Sequence, residues 1–155
     1  MTTGSVRYGS LSIPLAAQRR IDEAFAYLGR DAAARRLIEH VERSRTPHRI
    51  EIVHRHDDAY LPGSHTIRWD PTSAMRTSTG GRQSPALGLA HELDHAAVSD
   101  RAFDRLVNRR DEHFDNAEER RVILGSERHA ARTLHEPARR DHDGTCFRVR
   151  GPTKR

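Results

Sequence analysis

The stretch SPALGLAHELDHAA, residues 84–97, decides how this chain is read. Ser84 is a good helix N-cap and Pro85 suits the first helical position. Residues 86–97 are nearly all apolar apart from His91, Glu92, Asp94 and His95, so this helix is expected to be buried on most sides. Polar side chains buried there need partners, because leaving them bare is costly. His91 and His95 lie four residues apart, on one helical face, where both imidazoles can reach a single zinc ion. Glu92 follows the first histidine, which completes an HExxH motif. Three protein ligands would leave one position for a water, and zinc lowers the pKa of such a water from about 16 to about 7. Glu92 is then the candidate to take its proton and hand it to a leaving amine. Gly88, one turn before His91, leaves space on that face. The bland alternative is a solvated helix in a chain with eleven histidines, and the apolar context argues against it.

A catalytic zinc needs a third protein ligand. Glu118 and Glu119 lie 23 and 24 residues beyond His95, in the range where a downstream helix supplies one. Glu119 is favoured, because it precedes Val122 and Ile123 by three and four residues and so shares their face, with Glu118 a step nearer solvent. The run Asn116 to Glu119 can also be read as a capping box, with Glu119 folded back on the N-cap amide. His142 is a further candidate, either as third ligand or as a donor to the oxyanion. His113 and Asp115 are weaker candidates.

Composition sets the frame. The 155 residues fit one domain with a modest core. Hydrophobic content of 35% and charged content of 32% are polar, but not a disordered composition. No apolar run could span a bilayer, so no membrane association is expected. Nothing at the N-terminus reads as a Sec signal peptide. Cys146 is the only cysteine, which suits a reducing compartment; it is expected as a small buried residue in a short strand rather than as a nucleophile. The net charge is +5, carried almost wholly by arginine, with Lys154 the one lysine. These arginines are interleaved with acids along the whole chain. A solvated surface is the favoured explanation, an acidic protein partner the next and nucleic acid the last.

Along the chain, residues 1–14 are expected to form a flexible tail, 15–150 one domain and 151–155 a basic tail. Ile21, Ala24, Phe25 and Leu28 follow helical spacing, and Gly29 is placed to end that helix. Asp31 can cap a second helix that buries Ala34, Leu37, Ile38 and Val41. The period changes to two at Ile50 and Ile52 and again over His65–Asp70, which predicts strands. Residues 72–83 are expected as a loop. Short helices follow around Phe103 and after Asn116, the latter broken at Gly125, with Ser126 a cap for the next.

Several segments occur here in a characteristic order: IRWDP at 67–71, PALGLAHELDHA, NAEERRVI at 116–123, Glu127, and HEPARRDHDG at 135–144. Together they resemble the NleD-like zinc metallopeptidase effectors and related toxin domains of bacterial secretion systems. The resemblance runs from the second strand to Gly144. It implies a zinc endopeptidase, with Zn2+ as cofactor, sent by a type III or type VI-like system into a target cell to cut a protein there. His91 and His95 match the family's metal ligands, Glu92 its catalytic glutamate, and Glu118 and Glu119 its paired acidic position. Arg139 and His142 match a family motif and are taken as catalytic candidates; a tyrosine is common in those effectors at the place of His142. The expected fold is α+β and zincin-like, a small mixed sheet packed on the buried HExxH helix with flanking helices, in a monomer. The strand at His65–Asp70 is expected to be an edge that binds substrate by β-augmentation. The alternatives are a basic protein- or nucleic-acid-binding module with structural or absent zinc, a zinc hydrolase acting on a non-peptide amide or ester, and a resident cytoplasmic enzyme.

Overall fold

A computed structural model gives the structure and describes residues 4–155. It is a mixed α+β fold. In chain order the elements are β1 (Ser5–Tyr8), β2 (Leu11–Pro14), α1 (Gln18–Leu28), α2 (Ala32–Arg43), β3 (His48–Ile52), β4 (Ala59–Leu61), β5 (Thr66–Trp69), β6 (Ser73–Thr77) and β7 (Arg82–Gln83). Then come α3 (Pro85–Ala97), α4 (Asp100–Val107), β8 (Arg110–Asp111), β9 (Asp115–Asn116), α5 (Ala117–Val122), α6 (Arg128–Thr133) and β10 (Gly144–Arg148).

The main sheet has the order β1-β2-β3-β5-β4. Strands β2, β3 and β5 run parallel, while β1 and β4 are antiparallel additions at the two edges. The α1–α2 pair makes the connection from β2 to β3. Both helices present the apolar faces that their spacing predicts: Ile21, Ala24 and Leu28 from α1, and Ala34, Ile38 and Val41 from α2, are buried. Asp31 caps α2 by accepting the Ala34 amide at 2.8 Å, and Gly29 follows the last turn of α1.

The stretch expected to be a flexible tail over 1–14 is instead structured from Ser5 on, as the β1–β2 hairpin, and Met1–Thr3 lie outside the described residues. Leu11 and Ile13 are fully buried in the core, which a run rich in Ser, Thr and Gly conceals. The hairpin turns at Gly9, where φ is +60° and a Cβ would lie 2.1 Å from the Glu42 carbonyl oxygen. Only glycine fits that contact with the end of α2. At the other terminus, Pro152 is buried and its carbonyl accepts the Ala86 amide at 2.8 Å, so the basic tail docks on the start of α3.

Helix α3 lies at the centre, with eleven of its thirteen residues buried. It begins inside the protein, so its first amide groups need partners. Pro85 has none to satisfy, Pro152 takes Ala86, and Ser84 Oγ accepts from Leu87. Ser84 is itself held by Glu136, which accepts from its amide at 2.6 Å and its hydroxyl at 2.7 Å. Trp69, fully buried at the end of β5, donates from Nε1 to the Pro85 carbonyl at 2.8 Å and ties the sheet to this helix.

The 72–83 segment, expected as a loop, instead forms β6 and β7, with β6 the middle strand of a second sheet ordered β10-β6-β7. Strand β5 is not an edge. It pairs with β3 on one side and β4 on the other, so β4 is the open strand on this side of the main sheet. No helix among the described residues is long and apolar enough to cross a membrane.

Candidate metal centre

On α3, His91 and His95 project from one face as the i, i+4 spacing requires, and their Nε2 atoms approach to 2.9 Å. The carboxylate of Glu119, from α5, closes the triangle at 2.9 Å from His91 Nε2 and 3.2 Å from His95 Nε2. These three residues are the one group of potential metal donors that converges among the described residues, and they could hold a metal ion.

The outer nitrogens fix the chemistry of the inner ones. His91 Nδ1 lies 2.7 Å from Glu127 Oε2, and His95 Nδ1 lies 3.0 Å from Glu118 Oε1. Each carboxylate holds the Nδ1–H tautomer, so both Nε2 lone pairs point at one spot together with the Glu119 carboxylate. With no cation bound, a proton on His91 holds these groups together, and a metal would displace it. Glu119 Oε2 is buried, and its polar neighbours are the ring nitrogens His91 Nε2 at 2.9 Å and His142 Nε2 at 3.4 Å, a setting that suits an atom whose partner is a metal. The donor set of two imidazoles and one carboxylate fits a small divalent cation bound at ~2.0–2.2 Å.

The protein surrounds these donors with further charge. Arg139, buried at 6% exposure, donates to Glu127 from Nε at 2.8 Å and from Nη2 at 2.6 Å. Arg121 donates to Glu118 at 2.7 Å and to Asp94 at 2.7 Å, which ties the HELDH helix to α5. Ser126 Oγ also donates to Asp94. Glu92 and Glu119 have no arginine partner, which leaves two carboxylates for a dication to balance. Burial works against a charged His91, yet its bonds with Glu119 and Glu127 outweigh that and push it up to about 10. Burial likewise opposes a charged Glu119, and the two histidines overcome it, holding the carboxyl far below its usual range. Glu92 is held up by burial, with the Glu119 charge acting in the same sense.

Glu118 and Glu119 exchange the exposures expected of them. Glu118 is fully buried and supports His95 from behind, while Glu119 retains 19% side-chain exposure and faces the donors. Asn116 caps α5 alone, accepting from the Glu118 and Glu119 amides at 3.0 Å, and its own amide goes to the Phe114 carbonyl. The capping-box alternative for Glu119 is therefore not adopted. Ser126 caps nothing: the chain continues through a π-helical turn over Ile123–Glu127, bent at Gly125, into α6. An inserted residue of this kind is common at functional sites. Here it lets α5 send Glu119 to one nitrogen of His91 while Glu127 reaches the other.

Arg139 lines the cavity beside the donors. Its guanidinium is committed to Glu127 and sits 3.1 Å from His91 Nδ1, so it positions His91 through Glu127. His142 is not one of the three converging donors, though its Nε2 is 3.4 Å from Glu119 Oε2. Its Nδ1 lies 2.5 Å from Asp115 Oδ2, and its amide donates to the His113 carbonyl at 2.9 Å. Asp115 adopts φ +66°, a conformation rarely taken by residues other than glycine, asparagine or aspartate and often found at functional sites.

A cavity of about 270 Å³ opens beside the donors, lined among others by His91, Glu92, His142, Met75, Leu87 and Asp58. Glu92 makes no hydrogen bond to the described residues and is free to face it. Cys146 also lines it and is exposed, opposite Met75 in the β10–β6 pair, rather than buried as expected. Burial, reinforced by the charges of Glu92 and Asp70, pushes the Asp58 carboxyl up to about 8, although the Asp70 amide bonds it. Sequence reasoning missed Asp58, Arg121 and Asp94 as parts of the site. Asp94 alone carried a signal, as an acid inside a buried helix.

No protein-family model, no curated protein and no solved structure matches this chain.

Proposed function

We propose that this protein is a zinc-dependent endopeptidase. The observation that carries the proposal is the convergence of His91 Nε2, His95 Nε2 and Glu119 at 2.9–3.2 Å, beside an unpaired Glu92 on an open cavity. Three donors with a cavity suit a catalytic zinc, whereas structural zinc sites are closed by four. When bound, zinc would acidify a water and polarise the substrate carbonyl. Glu92 accepts the proton of the attacking water and delivers it to the leaving nitrogen. His142, oriented by Asp115 through Nδ1, lines the same cavity and is the side chain proposed to face the oxygen on which negative charge develops. Glu118, Glu127, Arg121 and Arg139 fix the two imidazoles, which aims both Nε2 atoms at the place the ion would take. The open edge of β4 is the place where an extended substrate would add as a further strand. The resemblance to the NleD-like enzymes extends the proposal to a zincin-like bacterial effector or toxin that cuts a protein in a target cell.

The test pairs zinc content with cleavage. Wild type and Glu92→Gln should each hold one zinc per chain, and only wild type should create new peptide ends in a lysate. Proteolysis that survives in Glu92→Gln would remove the role of Glu92. Absence of zinc from both would remove the proposal itself.

A further inference from the structure

Asp58 is the one acidic group in the cavity to which neither the metal donors nor the proposed mechanism gives a task. It directly precedes β4, the open edge along which substrate would lie. Its Oδ1 is pinned by the Asp70 amide at 2.6 Å. Its Oδ2 has no hydrogen-bond or ion-pair partner among the described residues. That oxygen faces α3 at Gly88, where an added Cβ would come within 3.3 Å of it. Gly88 lies three and four residues before His91 and Glu92, on the same face of α3. Gly88 is about one helical turn, ~5.4 Å, from the positions of His91 and Glu92, and Asp58 lines the same cavity as these residues. In an extended chain, at ~3.3 Å per residue, that separation corresponds to a neighbour of the scissile bond.

The cavity around it is larger than an α-amino group needs, at about 270 Å³, and Leu87 and Met75 give it apolar walls. Such walls suit a methylene stem that ends in a charge. The basic group nearest in sequence is already engaged: His56 Nδ1 lies 2.6 Å from Ser73 Oγ. Arg139 is committed to Glu127. Burial favours the neutral acid while the slot is empty, and a cation placed beside the free Oδ2 at the end of this apolar slot would favour the carboxylate and pair with it.

Resting on the peptidase proposal above, we propose that Asp58 is a specificity-determining residue that seats the cationic side chain of a lysine or arginine flanking the scissile bond. Gly88 keeps the slot open by having no side chain. The Glu92 carboxylate shares the cavity and adds to its preference for a cation over an acidic side chain.

The test reads binding and cleavage separately. N-acetyl-arginine amide and N-acetyl-norleucine amide are titrated into zinc-loaded Glu92→Gln protein, with and without Asp58→Asn. The arginine amide should bind about tenfold tighter than the norleucine amide, and Asp58→Asn should bring the ratio to about one. Gly88→Ala, which keeps the charge but crowds Oδ2, should also reduce the ratio; it decides the matter if Asp58→Asn does not fold. Equal binding of the two amides, or a ratio unchanged in both variants, would overturn the proposal. So would norleucine amide with a free amino terminus binding as well as blocked arginine, since the cation would then be the terminus. In a peptide pool, wild type should enrich lysine or arginine at one position beside its cuts. Asp58-dependent binding without cleavage keeps this site and removes the peptidase proposal; cleavage with no basic preference does the reverse.

Discussion

Replacing Glu127 by Gln should unfold this protein far more readily than its single-atom change suggests. Glu127 is 2% exposed and serves three donors: Arg139 at 2.6 and 2.8 Å, His91 at 2.7 Å and Gln83 Nε2 at 3.1 Å. A glutamine oxygen can still accept from His91, but its amide would then point a donor at a guanidinium that has lost its only anion. Breaking a buried ion pair from one side costs about 3–5 kcal/mol, because the surviving charge is left desolvated. For a chain of this size that corresponds to a fall in Tm of roughly 6–20 °C. Urea denaturation in the presence of a chelator isolates this cost, provided the slope is unchanged. Repetition with zinc adds the effect of a less firmly oriented His91. The double variant Glu127→Gln with Arg139→Met removes the stranded charge and should recover at least half of the loss. A loss below about 1 kcal/mol in the single variant, or no recovery in the double, would refute the assignment of this pair as the buried support of His91.

Two further outcomes follow from the same geometry. Glu119→Gln should abolish tight zinc binding, whereas Glu118→Gln should weaken it about 10–100-fold by loosening His95. Competition with a chromophoric chelator ranks the two, and a larger effect at Glu118 would reverse their assigned roles. Asp31 is fully buried as the cap of α2, and its carboxyl sits below its ordinary 3.8. Burial acts to raise it, but the Thr133 hydroxyl, the Ala34 amide and His129 together prevail. Such a group contributes fully above its unfolded pKa and loses that contribution as pH falls through the lower folded value. Asp31→Asn should therefore be less stable than wild type by about 1 kcal/mol at pH ~6, with the gap closing below pH ~4. A gap in denaturation midpoint that does not narrow at all as the pH falls below the ordinary carboxyl value of 3.8 would contradict this assignment.

Much of the site was legible in the HELDH stretch because its signals are local. The Ser84–Pro85 start, the apolar run and the i, i+4 histidines concern a single helix, whose period sets which side chains share a face. The mean burial of α3 followed from composition alone, and so did the capping roles of Asp31 and Asn116. The hairpin of β1 and β2 was not legible, since its strands are short, polar-rich and stabilised by pairing with β3 and by the Gly9 contact with α2. The edge of the sheet was misplaced for the same reason: β4 has three residues, and nothing within them announces that they pair outside β5.

By itself, then, the sequence pointed to one buried helix bearing His91, Glu92 and His95, and left the third donor among Glu119, Glu118 and His142. Only the tertiary structure decided which glutamate faces the donors and which supports them. Helical spacing ranks Glu118 and Glu119 relative to Val122, but both are near the boundary of that face. The bend at Gly125 and the arrangement of α5 against α3 turn Glu119 toward the two Nε2 atoms and press Glu118 against Arg121 and His95. Arg139 and Asp58 likewise acquire their roles from chain segments distant in sequence. Local periodicity specifies a face; what that face meets is set by packing between elements.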